Sequence, residues 1–380
     1  MSFSKLGLSA PLFKALAKYN YTTAYPVQEA VIPAVLNGKD ILGIAKTGSG
    51  KTLAFVLPVL QQFQYKPMAE NRHIKALIVV PTRELAVQVG DVFKAFAESL
   101  PRSIQSMAVF GGVSINPQMM ALQGVEILVA TPGRLLELVS VKAIHLSAVD
   151  ILVLDEADKM LNLGFKDEMN KIFSLLPVKR QNLLFSATLG KDIDTITELL
   201  LHNPVKIEIK DESENLDLIQ QLAYSVAEER KGPLLRWLIK QQNMQQVLVF
   251  TSSVHRADSV VEKLKINGID AAALHSKKGQ GTRTDTLNNF KAGKLRVLVA
   301  TDLASRGIDI QFLPFVINYE LPRSPKDYIH RIGRTGRAES PGEAISLICE
   351  DEQHHFKVIQ KKMGKRVEVI ETVDFDLKGF

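Results

Sequence analysis

Short apolar runs rich in β-branched residues punctuate the chain from end to end, and stretches of helical periodicity lie between them. The runs predict strands at Ala76–Val80, Gln105–Phe110, Ile127–Thr131, Ile151–Asp155, Leu183–Ala187 and Val205–Ile209. A second set follows at Gln246–Thr251, Ala271–Leu274, Arg296–Thr301, Phe315–Asn318 and Ala344–Ile348. Helices are predicted at Leu53–Gln62, Arg83–Leu100, Arg256–Ile266 and Arg283–Phe290. Strands this continuously apolar have no face to give to water. They imply parallel sheets covered by helices on both sides, an α/β fold.

The pattern breaks at Lys210–Leu218, KDESENLDL, which is acidic, polar and without an apolar face. It is expected to link an N-terminal domain, 1–209, to a C-terminal domain, 219–366, with 367–380 as a short tail. A length of 380 residues suits two domains. An Ala-Thr pair closes a strand in each half (Ala130-Thr131 and Ala300-Thr301), so the halves read as two copies of one architecture despite weak self-similarity.

Composition narrows the class. At 46% hydrophobic and 23% charged residues the chain is a soluble globular protein. A net charge of +6 suits a polyanionic partner without requiring one. The single cysteine, Cys349, excludes an internal disulfide and a cysteine metal cluster, and suits a reducing compartment. No signal-peptide pattern opens the sequence and no apolar run is long enough to span a bilayer, so a cytoplasmic protein with no membrane partner is expected. Trp237 reads as packing, His354-His355 lack ligand spacing for a metal, His275 reads as structural, and Lys361–Arg366 reads as a solvated helix end.

The chemistry is concentrated in a few strings. Residues 45–52 read AKTGSGKT, and Asp155-Glu156-Ala157-Asp158 ends the apolar run ILVL. A glycine-rich loop ending in Lys-Thr gathers backbone N–H groups at a helix start, which suits a triphosphate. Ala45, Lys46, Thr47, Gly48, Ser49, Gly50, Lys51 and Thr52 would line that site, with Lys51 on the β- and γ-phosphates. Ala45 stands where the generic loop has its first glycine. The Thr52 hydroxyl and the Asp155 carboxylate would hold Mg²⁺, largely through water, and Glu156 would act as general base or water-positioner. Ser186-Ala187-Thr188 follow a strand, with hydroxyls in reach of Asp158. Farther on, His330-Arg331-Ile332-Gly333-Arg334-Thr335-Gly336-Arg337 spaces three arginines with glycines. Guanidinium groups are planar, permanently charged donors suited to phosphate. Because they lie in the other half from the loop, contact with the γ-phosphate would require the halves to close, as an arginine finger does.

Taken with Phe3 and Gln28, PTRELAVQ (Pro81–Gln88), Gly111-Gly112, TPGR (Thr131–Arg134), VFTSS (Val249–Ser253), Gln280-x-x-Arg283 and ATDLASRGID (Ala300–Asp309), these strings follow one order over residues 1–350. In this the chain resembles the DEAD-box RNA helicases, and within them the bacterial RhlE-like group. The resemblance implies two tandem RecA-like domains, each a mostly parallel sheet flanked by helices. It implies ATP and Mg²⁺ as cofactors and RNA as partner, single-stranded or a short duplex, bound without regard to sequence. Local, non-processive unwinding or RNP remodelling would follow, the alternative being an ATP-gated RNA clamp; a DNA helicase is a weaker rival. A monomer is expected, and RNP, degradosome or ribosome-assembly proteins are possible partners.

By residue, the resemblance implies Gln28 on the adenine edge with Phe3 stacking nearby, Asp309 near the ribose, and Arg334 and Arg337 as the fingers. Ser186, Thr188 and His330 join the catalytic set. It implies RNA contacts from Thr82, Arg83, Gly112, Thr131, Gly133 and Arg134, and from Thr251, Ser252, Arg283 and Thr301. Small hydroxyls and helix N-termini suit sugar and phosphate better than bases. One departure concerns the run before Gln28, Ala24-Tyr25-Pro26-Val27, where the family commonly has Pro-Thr-Pro-Ile.

Overall fold

A computed structural model describes residues 2–45, 48–67, 70–209, 219–302, 313–336 and 342–380. The expected linker at 210–218 lies outside these, as do Lys46, Thr47, Asp309 and Arg337. The chain divides into two compact units, Met1–Asp211 and Glu212–Phe380. Among the described residues no helix is long and apolar enough to cross a membrane.

In the N-terminal unit the strands are β1 (Ile41–Ile44), β2 (Ala76–Val79), β3 (Gln105–Val109), β4 (Val125–Ala130), β5 (Ile151–Leu154), β6 (Gln181–Ser186) and β7 (Val205–Glu208). They form one parallel sheet in the order β3-β4-β2-β5-β6-β1-β7. Successive side chains go to opposite faces. Ile151 and Val153 of β5 therefore enter one core, and Leu152 and Leu154 enter the other. Two buried faces explain why the central strands β2, β4 and β5 show no polar alternation.

The C-terminal unit carries β8 (Ile219–Ser225), β9 (Val247–Thr251), β10 (Ala271–Leu274), β11 (Val297–Thr301), β12 (Phe315–Asn318), β13 (Gly342–Ile348) and β14 (Glu368–Glu371). Their order is β10-β11-β9-β12-β13-β8-β14, again all parallel. Counted from the first strand of each sheet, the two permutations are the same. The duplication expected from two Ala-Thr strand ends thus holds for the whole topology.

Three strands escape the apolar pattern. β1 reads ILGI, and its Gly43 is there for space, since a Cβ would lie 2.6 Å from Cδ1 of Phe185. Gln220 and Gln221 interrupt β8, and β14 reads EVIE on an exposed edge. Charged residues on edge strands discourage pairing with other chains. Residues 367–380 accordingly fold with the C-terminal unit, Glu368–Glu371 as a strand of its sheet. β14 pairs with β8, and Thr372 Oγ1 donates to the Ser225 carbonyl at 2.7 Å. The Phe375 ring packs on Trp237 and Tyr224, with centroids 5.1 and 6.2 Å away.

Phe375→Ala should lower the unfolding free energy of the C-terminal unit by about 1.5 kcal/mol, roughly half the value for a fully buried ring. Trp237 is the only tryptophan, so its fluorescence in a urea titration reports the change. An unmoved midpoint would return these residues to the status of a tail.

Candidate active site

In a parallel sheet every strand delivers its C-terminal end to the same edge, and ligands bind there. The order of the N-terminal sheet sorts the motifs along that edge. Neighbours β5, β6 and β1 lead into Asp155-Glu156, Ser186–Thr188 and the 45–52 loop. Neighbours β3, β4 and β2 lead into Gly112, Thr131–Arg134 and Thr82-Arg83. The two groups meet between β2 and β5, where the Asp155 amide donates to the Val79 carbonyl at 3.1 Å.

The loop is shaped by two glycines with positive φ, Gly48 at 85° and Gly50 at 90°. Gly50 also has no room for a side chain, because a Cβ would lie 2.6 Å from Nε2 of Gln28 and 2.8 Å from the Tyr25 ring. Gln28 is buried at the first turn of the helix Pro26–Leu36. Its Oε1 accepts from the Tyr25 amide at 2.9 Å and its Nε2 donates to the Gly50 carbonyl at 3.0 Å. The Ala24-Tyr25 departure therefore leaves Gln28 docked on the loop. Phe3 requires a correction: at 1% exposure it fills the core and presents no ring surface for a base. Ser49 is partly exposed on the loop, and Thr52 is partly exposed in the first turn of the helix Lys51–Phe63.

Lys51 is buried at the start of that helix, and its Nζ donates to the Ala45 carbonyl. Burial lowers its pKa, against the pull of the Asp155 and Glu156 carboxylates. Burial pushes Asp155 up to about 6, with Lys51 opposing and Glu156 adding to the rise. Both groups are thus driven toward neutrality by desolvation. Glu156 has left-handed φ and ψ of 55° and 46°, unusual away from glycine and often found where function dictates geometry. Its amide donates to Asp155 Oδ1 at 2.9 Å, and its Oε1 lies 2.7 Å from Lys159 Nζ. Thr188 Oγ1 donates to Asp158 Oδ2 at 3.0 Å, whereas Ser186 Oγ turns back to the Thr188 carbonyl at 2.7 Å. One of the two hydroxyls reaches the acidic cluster, and the other closes its own turn.

On the other half of the edge, Thr82 caps the helix Arg83–Ala97 by accepting from the Leu85 amide at 3.3 Å. Gly112, with φ of 76°, lies under the Arg83 guanidinium, where a Cβ would be 2.1 Å from Nη1. Thr131 stands at the N-cap of the helix Pro132–Ser140 without a side-chain capping bond, and Gly133 faces open space in its first turn. Arg134 is only 5% exposed. It donates to Glu137 Oε2 and to the Val113 carbonyl, each at 2.7 Å, leaving Nη1 buried without a partner. Its first role is to tie the loop after β3 to the helix after β4.

Residues 25–196 match the DEAD/DEAH box helicase model, and residues 230–339 match the helicase conserved C-terminal domain. The chain is 38% identical to the ATP-dependent RNA helicase CshA of Listeria monocytogenes, over 98% of this chain and 71% of that protein. The chain belongs to the DEAD-box RNA helicases. It is likewise 40% identical to the DEAD-box ATP-dependent RNA helicase CshA of Streptococcus pneumoniae, over 97% of this chain and 69% of that one. Among solved structures it is similar to S. cerevisiae Dbp5 bound to RNA and ADP BeF3, with TM-score 0.84 and 29% identity, covering 98% and 96% of the two chains. This DEAD-box protein is an ATP-dependent RNA helicase, an enzyme whose ATPase depends on RNA.

The C-terminal unit of the helicase sorts its expected residues differently from the sequence motifs. Thr251 and Thr301 are register neighbours at the ends of β9 and β11, and both are buried. Arg283 is 8% exposed. Of the four RNA contacts expected in this unit, only Ser252 is open to solvent. The three-arginine reading also needs correcting. Arg331 is buried and bonds Asp302 at 2.6 and 2.7 Å, Asn318 Oδ1 at 3.0 Å and the Glu320 carbonyl at 2.6 Å, over the Phe250 ring. It braces strand ends and is not available to a phosphate. His330 is exposed on the helix Pro325–Ile332, and Arg334 lies half-buried in the turn that follows it.

A residue that the motifs did not reveal is Lys231. It begins the helix after β8 as Lys51 begins the helix after β1. Its Nζ sits 2.8 Å from Glu352 and 3.4 Å from Glu228. Burial alone would lower its pKa, but the Glu352 and Glu228 carboxylates raise it. In the C-terminal unit the lysine already has its anions.

Asp155 must be anionic for metal–nucleotide chemistry, and its folded pKa is raised. Activity should therefore fall as pH drops through about 6. The acid limb of kcat/KM, which reports the free enzyme, is expected there, and that of kcat at lower pH. A kcat/KM limb near the ordinary aspartate value of 3.8 would mean that burial does not hold Asp155 up.

Proposed function

We propose that this helicase separates RNA strands locally, by closing its two units around ATP and single-stranded RNA, and does not travel along a duplex. The observation that carries this reading is the sorting of the N-terminal sheet edge. Nucleotide residues after β5, β6 and β1 run directly into backbone-facing residues after β2, β4 and β3. A change at the phosphate loop thus has a short, hydrogen-bonded path to the RNA side. Each ligand favours the closed form, so each strengthens the other's binding. RNA held in a path that a duplex cannot follow gives up its partner strand.

Gln28 reads the adenine edge. Lys51 exchanges the Ala45 carbonyl for the β- and γ-phosphates, and Glu156 leaves Lys159 to orient the attacking water. Thr52 and Asp155 would hold Mg²⁺, largely through water. The fit rests on hard oxygen donors and on a buried carboxylate held near pKa 6, which a cation would return to its charged form. The ion would neutralise charge on the phosphates. Asp309 approaches the ribose, and Arg334 and Arg337 reach the γ-phosphate as fingers. Loss of that phosphate on hydrolysis releases them and reopens the site. RNA is met by hydroxyls, helix N-termini and Arg83, groups suited to sugar and phosphate, so binding is independent of sequence.

The reading is tested by unwinding in a single binding event. Short duplexes should separate and duplexes of many tens of base pairs should not; release of the long ones would replace local separation by translocation. Glu156→Gln should keep ATP and RNA binding yet stall hydrolysis, seen as slow RNA dissociation with ATP present; normal turnover would remove Glu156 from the chemistry. Arg334→Ala should reduce RNA-stimulated kcat by roughly 10³-fold with ATP affinity little changed. A loss of only a few-fold would make Arg334 structural.

A further inference from the structure

The helices Pro325–Ile332 and Gln353–Met363 pack side by side in the C-terminal unit. Tyr328 and Ile332 of the first share a core with Phe356 and Ile359 of the second, and the Tyr328 and Phe356 rings lie 6.1 Å apart. His355 Nε2 sits 2.7 Å from the Pro322 carbonyl and ties the second helix to the turn before the first. What this packing leaves outside is basic. Arg323, Lys326, Lys357, Lys361, Lys362 and Arg366 are exposed, and among the described residues none of them has a carboxylate partner. From Gln353 to Val367 the sequence contains no acid, and Asp327 on the first helix is taken by Ser324 Oγ at 3.1 Å.

Local stability accounts for only part of this charge. Lys361 and Lys362 lie in a last turn, where cations favour the helix dipole. Lys326 lies in a first turn, where a cation opposes it. Lys357 and Lys361, four residues apart, stand one above the other and repel. A polyanion would relieve both costs. Its kind follows from what the face lacks. Val358, at 40% exposure, is the one large hydrophobic exposed on the two helices. A protein partner needs an apolar centre with aromatic anchors, and a single strand needs rings on which to stack its bases. A duplex hides its bases and offers phosphate, which lysine meets as a point charge without regard to sequence.

The face also starts in the right place. The two helices follow β12 and β13, so they leave from the edge where strand ends gather ligands. Both run toward the opposite edge, since each must reach the start of a further parallel strand. We propose that this face is a second RNA contact, which holds the phosphate backbone of duplex flanking the strand engaged at the sheet edge. The proposal rests on the reading of local strand separation, which leaves unopened duplex beside the site.

The experiment measures anisotropy of two fluorescein-labelled probes over a range of salt, with the full chain and a non-hydrolysable ATP analogue. One probe is a short RNA single strand, and the other is the same strand extended into a hairpin duplex. With wild type the hairpin probe should bind more tightly and with the steeper salt dependence. The variant Lys357→Gln/Lys361→Gln/Lys362→Gln should lower that slope by about 2 to 3, at roughly 0.9 per duplex phosphate contact, and weaken the hairpin probe about tenfold. Binding of the single strand, and kcat at saturating single strand, should not change. Lys357→Arg/Lys361→Arg/Lys362→Arg should behave as wild type. So should Lys263→Gln/Lys265→Gln/Lys291→Gln, which removes equal charge from the helices after β9 and β10. Equal loss on both probes, or loss on neither, overturns the proposal. Stronger competition by polyglutamate than by unlabelled hairpin also overturns it and makes the face a site for an acidic protein. Release of long duplexes in a single binding event removes the underlying reading instead, whatever the two probes show. Glutamine keeps the helix propensity of lysine, so matching thermal midpoints should separate binding from folding.

Discussion

Charge buried without an adequate partner is the constraint on which this molecule turns. Lys51 and Asp155 lie in the protein at the foot of β1 and β5, and desolvation drives both toward neutrality. Their mutual attraction is a partial remedy. A triphosphate with its cation would complete it, bringing negative charge to the lysine and positive charge to the carboxylate. The C-terminal unit shows the alternative on the same topology. Lys231 occupies the corresponding helix start, yet Glu352 and Glu228 saturate it and its pKa rises. One backbone thus carries two fates for the same ammonium, and the difference lies in whether glycines or glutamates surround it.

The strand permutation sets the second constraint. Because both sheets have the same order, corresponding strand ends present corresponding devices. Thr82 caps the helix after β2, and Ser253 caps the helix after β9, each by accepting an amide three residues on. β2 and β9 are the second strand of their units and the third position of their sheets. Two helix N-termini, which favour anionic groups, are therefore built the same way in both units. Neither depends on the phosphate loop that only the first unit has.

Much of this was legible in the sequence where a residue's chemistry alone decides its role. Strands β2, β4 and β5 are largely apolar because both faces are covered, and the phosphate loop and DEAD run are specified by residue type and order. The remainder depends on which way a side chain points. Thr251, Ser252 and Ser253 are chemically alike in the string VFTSS, and only the fold sends the first inward and the second outward. Arg331 and Arg334 look equivalent in HRIGRTGR, but Arg331 meets Asp302 and Asn318 inside the unit. β1 was hidden by its glycine, which makes room for Phe185 of β6, its neighbour in the sheet but distant in sequence. Lys159, Glu320 and Lys231 belong to no motif considered, since their partners are assembled by the tertiary structure.

The contrast between Glu156 and Glu320 carries the comparison of the two units furthest. Each is the second residue past the end of its unit's fifth strand, β5 or β12. Glu156 sits in a left-handed conformation with its Oε1 on Lys159 and its charge near Lys51. Glu320 is held by Ser252 and Arg256, and Arg256 continues through Glu228 to Lys231 and Glu352. Where the N-terminal unit keeps a carboxylate poised for an exchangeable ligand, the C-terminal unit has spent the same position on a permanent ionic chain. Such a chain ties the tip of β9 to the residues that follow β12 and β8. The C-terminal unit thus pairs its charges internally, whereas the N-terminal unit leaves Lys51 and Asp155 desolvated beside each other.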